Sequence, residues 1–220
     1  MRTGGLGPGP PGLEPAPDVR TVHVTGVQRT GPGYRPGIVR ILFIQGGGAG
    51  THDTWDAGLT ESLRRELGTG HEVRYPRMPG EDDPAYGPWS AVIRRELAAL
   101  GAGAVLVGHS VGGTILINAL ADARPPRDPA AVVLVAAPFV GDGGWPAQGF
   151  TPVADLGARL PPDVPVHVFH GLADEAVPPS HAVRYGHAIP HARVHLLPGR
   201  DHQLGGDLAE VARVITGLRS

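Results

Sequence analysis

Short apolar runs alternate, from residue 38 onward, with segments in which apolar residues recur at every third or fourth position. The runs are typical of strands buried on both faces, and the repeats are typical of amphipathic helices. Strands are predicted at residues 38–44, 71–76, 104–107, 130–137, 165–171 and 193–197. Helices are predicted at residues 55–67, 88–100, 155–160, 180–188 and 207–218, with a further helix after residue 112. This alternation predicts an α/β fold with a mostly parallel central sheet and helices on both faces.

The first residues of the chain lack this pattern. Much of the excess of the 34 glycines and 24 prolines lies there, with almost no apolar content. Such a segment cannot bury enough surface to offset its ordering entropy. We therefore expect residues 1–18 to form a disordered Gly/Pro-rich tail and residues 19–220 to form a single domain.

Composition narrows the function classes. The chain has 220 residues, 41% of them hydrophobic, with a formal net charge of −2 and no long basic run, so neither nucleic acid nor a membrane surface is an expected partner. No stretch approaches the roughly 20 apolar residues of a membrane span, and a cytoplasmic protein is the default expectation. The lack of cysteine excludes disulfides and thiolate chemistry, and no histidine spacing suits a metal. We expect no metal and no cofactor.

Residues 104–116 combine an apolar strand, a Gly-x-Ser-x-Gly motif and an apolar helix. This order is typical of a nucleophile elbow, which places Ser110 at a tight corner between strand and helix. Gly108, Gly112 and Gly113 suit such a corner because side chains there would collide as the strand and helix approach. The start of the helix would direct free N–H groups toward negative charge beside the serine. The alternative is a glycine-rich turn whose serine only caps the helix.

A second glycine-rich turn, residues 45–50, follows the first predicted strand directly. It lacks the spacing of the phosphate-binding motifs. An oxyanion hole fits better, because its backbone N–H groups must approach a substrate closely. We expect the donors to be the N–H groups of Val111 and Gly47. A plain tight turn between a strand and a helix is the alternative.

The nucleophile needs a base and an acid later in the chain. In hydrolases with this elbow the order is serine, acid and histidine, each at the carboxyl end of a strand. Asp174 follows the fifth predicted strand and His202 follows the last one, so both are expected at the same edge of the sheet as the serine. Glu175 and Asp142 are alternative acids. Asp201, on the same loop as His202, is expected to be a surface or supporting residue.

Two further polar groups lie beside these motifs. His109 precedes the nucleophile, where we expect it to pack rather than to react. The acidic residues 81–83 stand next to Pro84, and this combination is more typical of a solvated loop or a helix cap than of a metal or catalytic cluster.

The chain resembles small α/β-hydrolase-fold serine hydrolases over residues 38–218. Four segments carry the resemblance: residues 44–48, 108–113, 170–178 and 199–202. It implies hydrolysis of carboxylic esters or thioesters through an acyl-enzyme. In that mechanism Ser110 is the nucleophile, His202 the general base and acid, and Asp174 the orienting acid.

Residues 75–84 are similar to the compact branch without a cap that includes the retinoblastoma-binding-protein-9-like and YdeN-like hydrolases. One residue departs from the wider family. Gln45 stands where many members have histidine before the oxyanion glycine, so the resemblance does not say what supports that loop.

The connection after the fourth predicted strand is too short for a large helical cap, which predicts a shallow, open pocket. Four aromatic residues are candidates for its rim, although ordinary packing explains each of them equally well: Trp55, Tyr86, Trp145 and Phe150. Such a pocket favours a small-molecule ester with a short acyl group, or an ester presented at a surface. An acyltransferase with the same triad and a non-catalytic binding module are the alternatives.

Overall fold

The structure, a computed structural model, describes residues 38–146, 149 and 151–218. The predicted tail at residues 1–18 lies outside them. Strands and helices alternate through the described part of the chain, as the hydrophobic pattern predicts. The strands are β1 (Val39–Ile44), β2 (His71–Arg74), β3 (Val105–His109), β4 (Ala131–Val135), β5 (Val166–Gly171) and β6 (Arg193–Leu197). The helices are α1 (Trp55–Leu67), α2 (Tyr86–Leu100), α3 (Ser110–Asp122), α4 (Leu156–Arg159), α5 (Ser180–Ala188) and α6 (Ala209–Gly217).

The six strands form one parallel sheet in the order β2-β1-β3-β4-β5-β6. From β1 the chain moves outward to β2 and then returns to the other side of β1 to form β3. This reversal leaves a crevice at the carboxyl ends of β1 and β3, where open α/β sheets bind their ligands. The glycine-rich turn and the Ser110 corner follow these two strands, so the topology brings both predicted motifs to the crevice.

Two apolar cores cover the two faces of the sheet. On one face α2, α3, α4 and α5 pack against the strands, with Trp89 and Ile93 fully buried. On the other face α1 and α6 pack together, with Leu59 and Leu63 fully buried. Every residue of β3 and β4 is buried, because helices cover both sides of the central strands. The predicted fold class is confirmed.

A few details differ from the sequence expectation. The apolar repeat of the helix predicted at residues 55–67 includes Trp55, yet this residue begins α1 and is 66% exposed, unlike Leu59 and Leu63. Strand β4 ends at Val135, earlier than predicted, because Ala136 adopts φ 49° and so leaves the extended conformation. Helix α6 begins at Ala209, after Asp207, whose carboxylate accepts the Ala209 N–H.

The connection between β4 and β5 holds only the four-residue helix α4, and no cap domain is evident in the described part of the chain. None of the helices within the described ranges has the length and apolar character needed to cross a bilayer.

Candidate active site

Ser110 occupies the corner between β3 and α3. Its φ is 50°, in the left-handed region that strains an L side chain. Strand and helix approach so closely that a Cβ on Gly112 would stand 2.0 Å from the carbonyl oxygen of Gln45. A Cβ on Gly113 would stand 2.7 Å from the carbonyl oxygen of Gly108. The glycines of the motif are thus required by contact, and the corner has the predicted form of a nucleophile elbow.

His202 reaches the serine from the loop after β6. Its Nε2 lies 3.0 Å from the Ser110 Oγ, and its Nδ1 lies 2.8 Å from Oδ2 of Asp174. The carboxylate of Asp201 holds this loop by accepting the N–H groups of Gln203 and Gly205. Asp201 therefore supports the loop, as expected, and three residues from three separate loops form one continuous chain of hydrogen bonds.

Asp174 lies on the loop after β5 with its side chain fully buried. Burial alone would raise the pKa of Asp174, but hydrogen bonds from His170, from His202 and from the Val177 N–H outweigh it and hold the pKa well below its usual range. The carboxyl group is therefore ionised at neutral pH. His170 is fully buried and also lies 2.8 Å from the Val177 carbonyl, and sequence reasoning did not assign it any role beside the acid.

The turn after β1 has one unused N–H beside the elbow. The Gly46 N–H donates to Asp56 and the Gly48 N–H donates to the Glu81 carbonyl. Within the described ranges, no hydrogen bond uses the N–H of Gly47. A Cβ on Gly47 would stand 3.1 Å from the side chain of Val111, whose own N–H belongs to the first turn of α3 and has no partner inside the helix. The two predicted oxyanion donors therefore belong to neighbouring residues.

Gln45 and Glu81 support this turn from behind. Gln45 is fully buried, donates to the Glu81 carboxylate over 2.7 Å and accepts the Met78 N–H. The same carboxylate accepts the N–H groups of Gly50 and His52. The hydrogen bond from Gln45, chiefly, lowers the pKa of Glu81. The expectation that the acidic loop is merely solvated is therefore wrong for Glu81, whose side chain is only 15% exposed.

A second carboxylate–imidazole pair lies behind the nucleophile. Nδ1 of His109 stands 2.9 Å and 3.0 Å from the two carboxylate oxygens of Asp56, and both side chains are buried. The other ring nitrogen of His109 lies 3.2 Å from the carbonyl oxygen of His202. Sequence reasoning placed His109 in the packing but missed Asp56, because an aspartate in the first turn of a helix normally faces solvent.

A cavity of about 350 Å³ opens beside the serine. None of the described residues that line it is acidic, and histidine is the only basic type among them: Gly46, Gly47, Gly48, Ala49, Thr51, Trp55, His109, Ser110, His202 and Gln203. Trp55 is thus the one predicted aromatic residue among these lining residues, and its indole forms an exposed wall of the cavity.

Two of the other aromatic candidates, Tyr86 and Trp145, are not among these lining residues. Tyr86 begins α2, packs against the core and directs its hydroxyl to Asp122, at the far end of α3 from the serine. Trp145 packs edge-on against His181, with ring centroids 5.4 Å apart. Phe150 lies outside the described residues. The alternative acids Glu175 and Asp142 are exposed, and the His202 hydrogen bond goes to Asp174.

The arrangement provides a strained serine, a base in contact with its hydroxyl, a buried ionised carboxylate behind the base and backbone donors beside it. This set is suited to nucleophilic attack on a carbonyl group. Within the part of the chain that the structure describes, no group of three or more His, Asp or Glu residues is arranged to hold a metal ion.

Comparison with known proteins agrees with this architecture. The profile of the alpha/beta hydrolase family matches residues 41–169, which include the glycine-rich turn and the elbow. A search of curated protein sequences gives no significant match.

Solved structures show the same fold at low sequence identity. Est1E from Butyrivibrio proteoclasticus is 18% identical with a TM-score of 0.60, covering 86% of this chain and 90% of its own. The alpha/beta hydrolase domain-containing protein 10 from mouse is 20% identical with a TM-score of 0.59, covering 82% and 89%. The ydeN gene product from B. subtilis is 17% identical with a TM-score of 0.61, covering 83% and 98%.

Proposed function

Because the chain belongs to the alpha/beta hydrolase family, we propose that it is a serine hydrolase that cleaves carboxylic esters or thioesters. One observation carries the proposal: Asp174, His202 and Ser110 form an unbroken hydrogen-bonded chain, with distances of 2.8 Å and 3.0 Å, at the edge of a cavity. A serine held in a strained corner merely for packing would have no reason to contact a histidine that is itself fixed by a buried carboxylate.

The chemistry follows from this chain of contacts. Ser110 Oγ attacks the carbonyl carbon while His202 Nε2 takes its proton, and the carbonyl electron pair moves onto oxygen. The N–H groups of Gly47 and Val111 stabilise that oxyanion, and Asp174 stabilises the imidazolium. Collapse of the intermediate breaks the bond to the alkoxide or thiolate, which His202 protonates. Water, deprotonated by His202, then releases the acid and restores the serine.

The cavity indicates the kind of substrate. The described residues of its wall combine the glycine-rich turn and Trp55 with uncharged polar side chains and histidine, and none of them is acidic, so an uncharged ester suits it better than a charged one. No cap is evident in the described part of the chain, which favours a short acyl group or an ester presented at a surface. We retain a small-molecule substrate, without nucleic acid or membrane, and a cytoplasmic location as parts of the proposal.

The finer family placement is also proposed. The compact sheet without an evident cap supports the branch that includes the retinoblastoma-binding-protein-9-like and YdeN-like hydrolases. The fold of the ydeN gene product, of which 98% is covered, agrees with this placement.

Intact-mass analysis after exposure to a fluorophosphonate tests the function. Wild type is expected to gain one adduct, Ser110→Ala none, and His202→Ala one only slowly. Ser180→Ala is the matched control, because Ser180 is exposed at the start of α5 and should be irrelevant. A folded wild type that gains no adduct would exclude an activated serine and favour a binding module.

Product analysis separates hydrolysis from acyl transfer. With a short ester and a competing alcohol or amine, hydrolysis yields the free acid throughout. A product in which the acyl group passes to the added nucleophile would identify an acyltransferase that uses the same triad.

A further inference from the structure

The buried pair formed by Asp56 and His109 has no role in the reaction steps described above, yet it contacts two parts of the candidate site. Asp56 lies in the first turn of α1 and is fully buried. His109 is the last residue of β3, directly before the nucleophile, and is 1% exposed. The two residues are 53 positions apart in the sequence, so the contact depends on how α1 packs against the sheet.

The pair connects the glycine-rich turn after β1 (residues 45–50, the oxyanion turn below) with His202, the proposed base. The Gly46 N–H donates to Oδ2 of Asp56 over 2.6 Å. The carboxylate contacts Nδ1 of His109, and Nε2–H of His109 donates to the carbonyl oxygen of His202 over 3.2 Å. The rings of His109 and His202 lie 5.1 Å apart at their centroids. One buried connection therefore links the turn that carries Gly47, the strand end that carries the serine, and the loop that carries the base.

The hydrogen-bond partners of His109 also indicate which of its ring nitrogens carry hydrogen. Both ring nitrogens face acceptors, a carboxylate on one side and a carbonyl on the other, so both carry hydrogen and the ring is an imidazolium paired with Asp56. Burial alone would lower the pKa of His109, but the adjacent Asp56 carboxylate outweighs it and raises the pKa. The pair is thus a buried ion pair with every proton engaged.

We propose that Asp56 and His109 are positioning residues that keep the oxyanion turn and the His202 loop in register with Ser110. This inference rests on the proposed hydrolase function. Neither residue transfers a proton in the reaction, because the His109 hydrogens are both held by acceptors that cannot exchange them with a substrate. Their effect is on alignment, to which a transition state is far more sensitive than substrate binding.

Two variants distinguish the loss of these contacts from the loss of the ion pair. Asp56→Asn can accept the Gly46 N–H through its carbonyl and donate its amide to Nδ1 of a neutral His109, whose Nε2–H still donates to His202. All the contacts then survive without the ion pair. The double variant Asp56→Leu/His109→Phe fills similar space with apolar side chains and removes every contact without leaving one buried charge unpaired.

The measurement is kcat and KM for a short nitrophenyl ester, with active sites titrated by fluorophosphonate. We expect the double variant to lose about 100-fold in kcat with little change in KM, and Asp56→Asn to remain close to wild type. Asn118→Leu is the matched control, because Asn118 is a buried polar residue of α3 bonded to the Thr114 carbonyl and the Val153 N–H, away from the cavity. It should lower thermal stability without lowering the rate for each titrated site.

Proton NMR gives a second readout that needs no turnover. The hydrogen between His202 Nδ1 and Asp174 gives a downfield signal, which should shift or broaden in the double variant, although neither replaced residue takes part in that hydrogen bond. In Asp56→Asn and in Asn118→Leu the signal should be unchanged. A double variant with the wild-type rate per site and an unchanged signal would overturn the inference, as would an Asp56→Asn variant as slow as the double. Wild type that resists fluorophosphonate would contradict the hydrolase function itself, and the NMR signal would then decide the positioning role alone.

Discussion

Two carboxylate–imidazole pairs lie side by side in this molecule and differ in what the second ring nitrogen faces. In both, the aspartate side chain is fully buried and Nδ1 lies within 2.9 Å of a carboxylate oxygen. Nε2 of His202 faces the hydroxyl of Ser110, whereas Nε2 of His109 faces a carbonyl oxygen. A hydroxyl can give up a proton and a carbonyl cannot. The carboxylate alone therefore does not make an imidazole a base.

The two histidine side chains also differ in their exposure to solvent. The His202 side chain is 21% exposed at the cavity, and that of His109 is 1% exposed. Water and substrate can reach the first ring but not the second. The first pair is suited to proton transfer and the second to holding loops in place, and this contrast gives the following predictions.

The largest effect is expected from removing the base. His202→Ala should lower kcat by about 10⁴- to 10⁶-fold, because no other side chain within the described ranges hydrogen-bonds the Ser110 hydroxyl. Ester turnover for each folded molecule is the measurement, with His191→Ala as control because His191 is exposed and distant in the fold. Activity retained within tenfold would contradict the assignment of His202.

The same substitution in both pairs should have unequal effects. Asp174→Asn should lower kcat by about 10⁴-fold, because the amide donates to Nδ1 of His202 and so leaves Nε2 protonated and unable to accept the serine proton. In Asp56→Asn the His109 ring loses its Nδ1 proton, and its Nε2–H still donates to the His202 carbonyl. Parallel kinetics of the two variants check the contrast, and equal losses would show that the pairs do not differ as described.

A smaller effect is expected at the solvent side of the oxyanion turn. The Glu81 carboxylate receives hydrogen bonds from Gln45, Gly50 and His52, so Glu81→Ala should release the turn and lower kcat by about 10-fold to 100-fold. The neighbouring Asp82 is exposed and provides the control, Asp82→Ala. If both variants react alike, the turn does not depend on the Glu81 carboxylate.

The smallest effect concerns a third imidazole pair, which has no carboxylate. His167 Nδ1 lies 3.0 Å from His195 Nε2, and burial together with His195 and Arg193 lowers the pKa of His167 from 6.5 to about 4. Between these values the unfolded chain binds more protons than the folded one, so stability should fall as the pH falls from about 6.5 to about 4.

Thermal unfolding across that pH range measures this effect. His167→Gln should flatten the pH dependence of Tm by about 2–4 °C relative to wild type, while His191→Gln should leave it unchanged. A wild-type slope that survives in His167→Gln would assign the pH dependence to other groups. The Asp56 carboxylate raises the pKa of His109, so His109 stays protonated in the folded protein throughout this pH range. His167, whose pKa is lowered, stays neutral over most of it.

Much of the fold could be predicted because its signals are local. The bounds of α5 and β6 are those predicted, residues 180–188 and 193–197. The glycines around Ser110 predicted a corner, and the structure shows contacts that leave no room for a Cβ. The order of serine, acid and histidine indicated Asp174 and His202, with Glu175 and Asp142 left as alternative acids, and the structure brings Asp174 and His202 within hydrogen-bond distance of each other.

What the sequence pattern could not decide is which distant polar residues meet. Asp56 and Glu81 look like ordinary surface acids, in a first helical turn and beside a proline, yet each binds backbone N–H groups of the turn after β1. Trp55 and Tyr86 are each the first residue of a helix, but of these two only Trp55 lines the cavity.

The physical reason lies in the range of the interactions. Apolar periodicity and glycine corners follow from the geometry of a few neighbouring residues, so the sequence by itself determined the elements, the corner at Ser110 and the order of the candidate catalytic residues. The contact between Asp56, in the first turn of α1, and His109, at the end of β3, joins residues 53 positions apart along the chain, so it depends on how these elements pack together. Only the tertiary structure determines that these two residues meet.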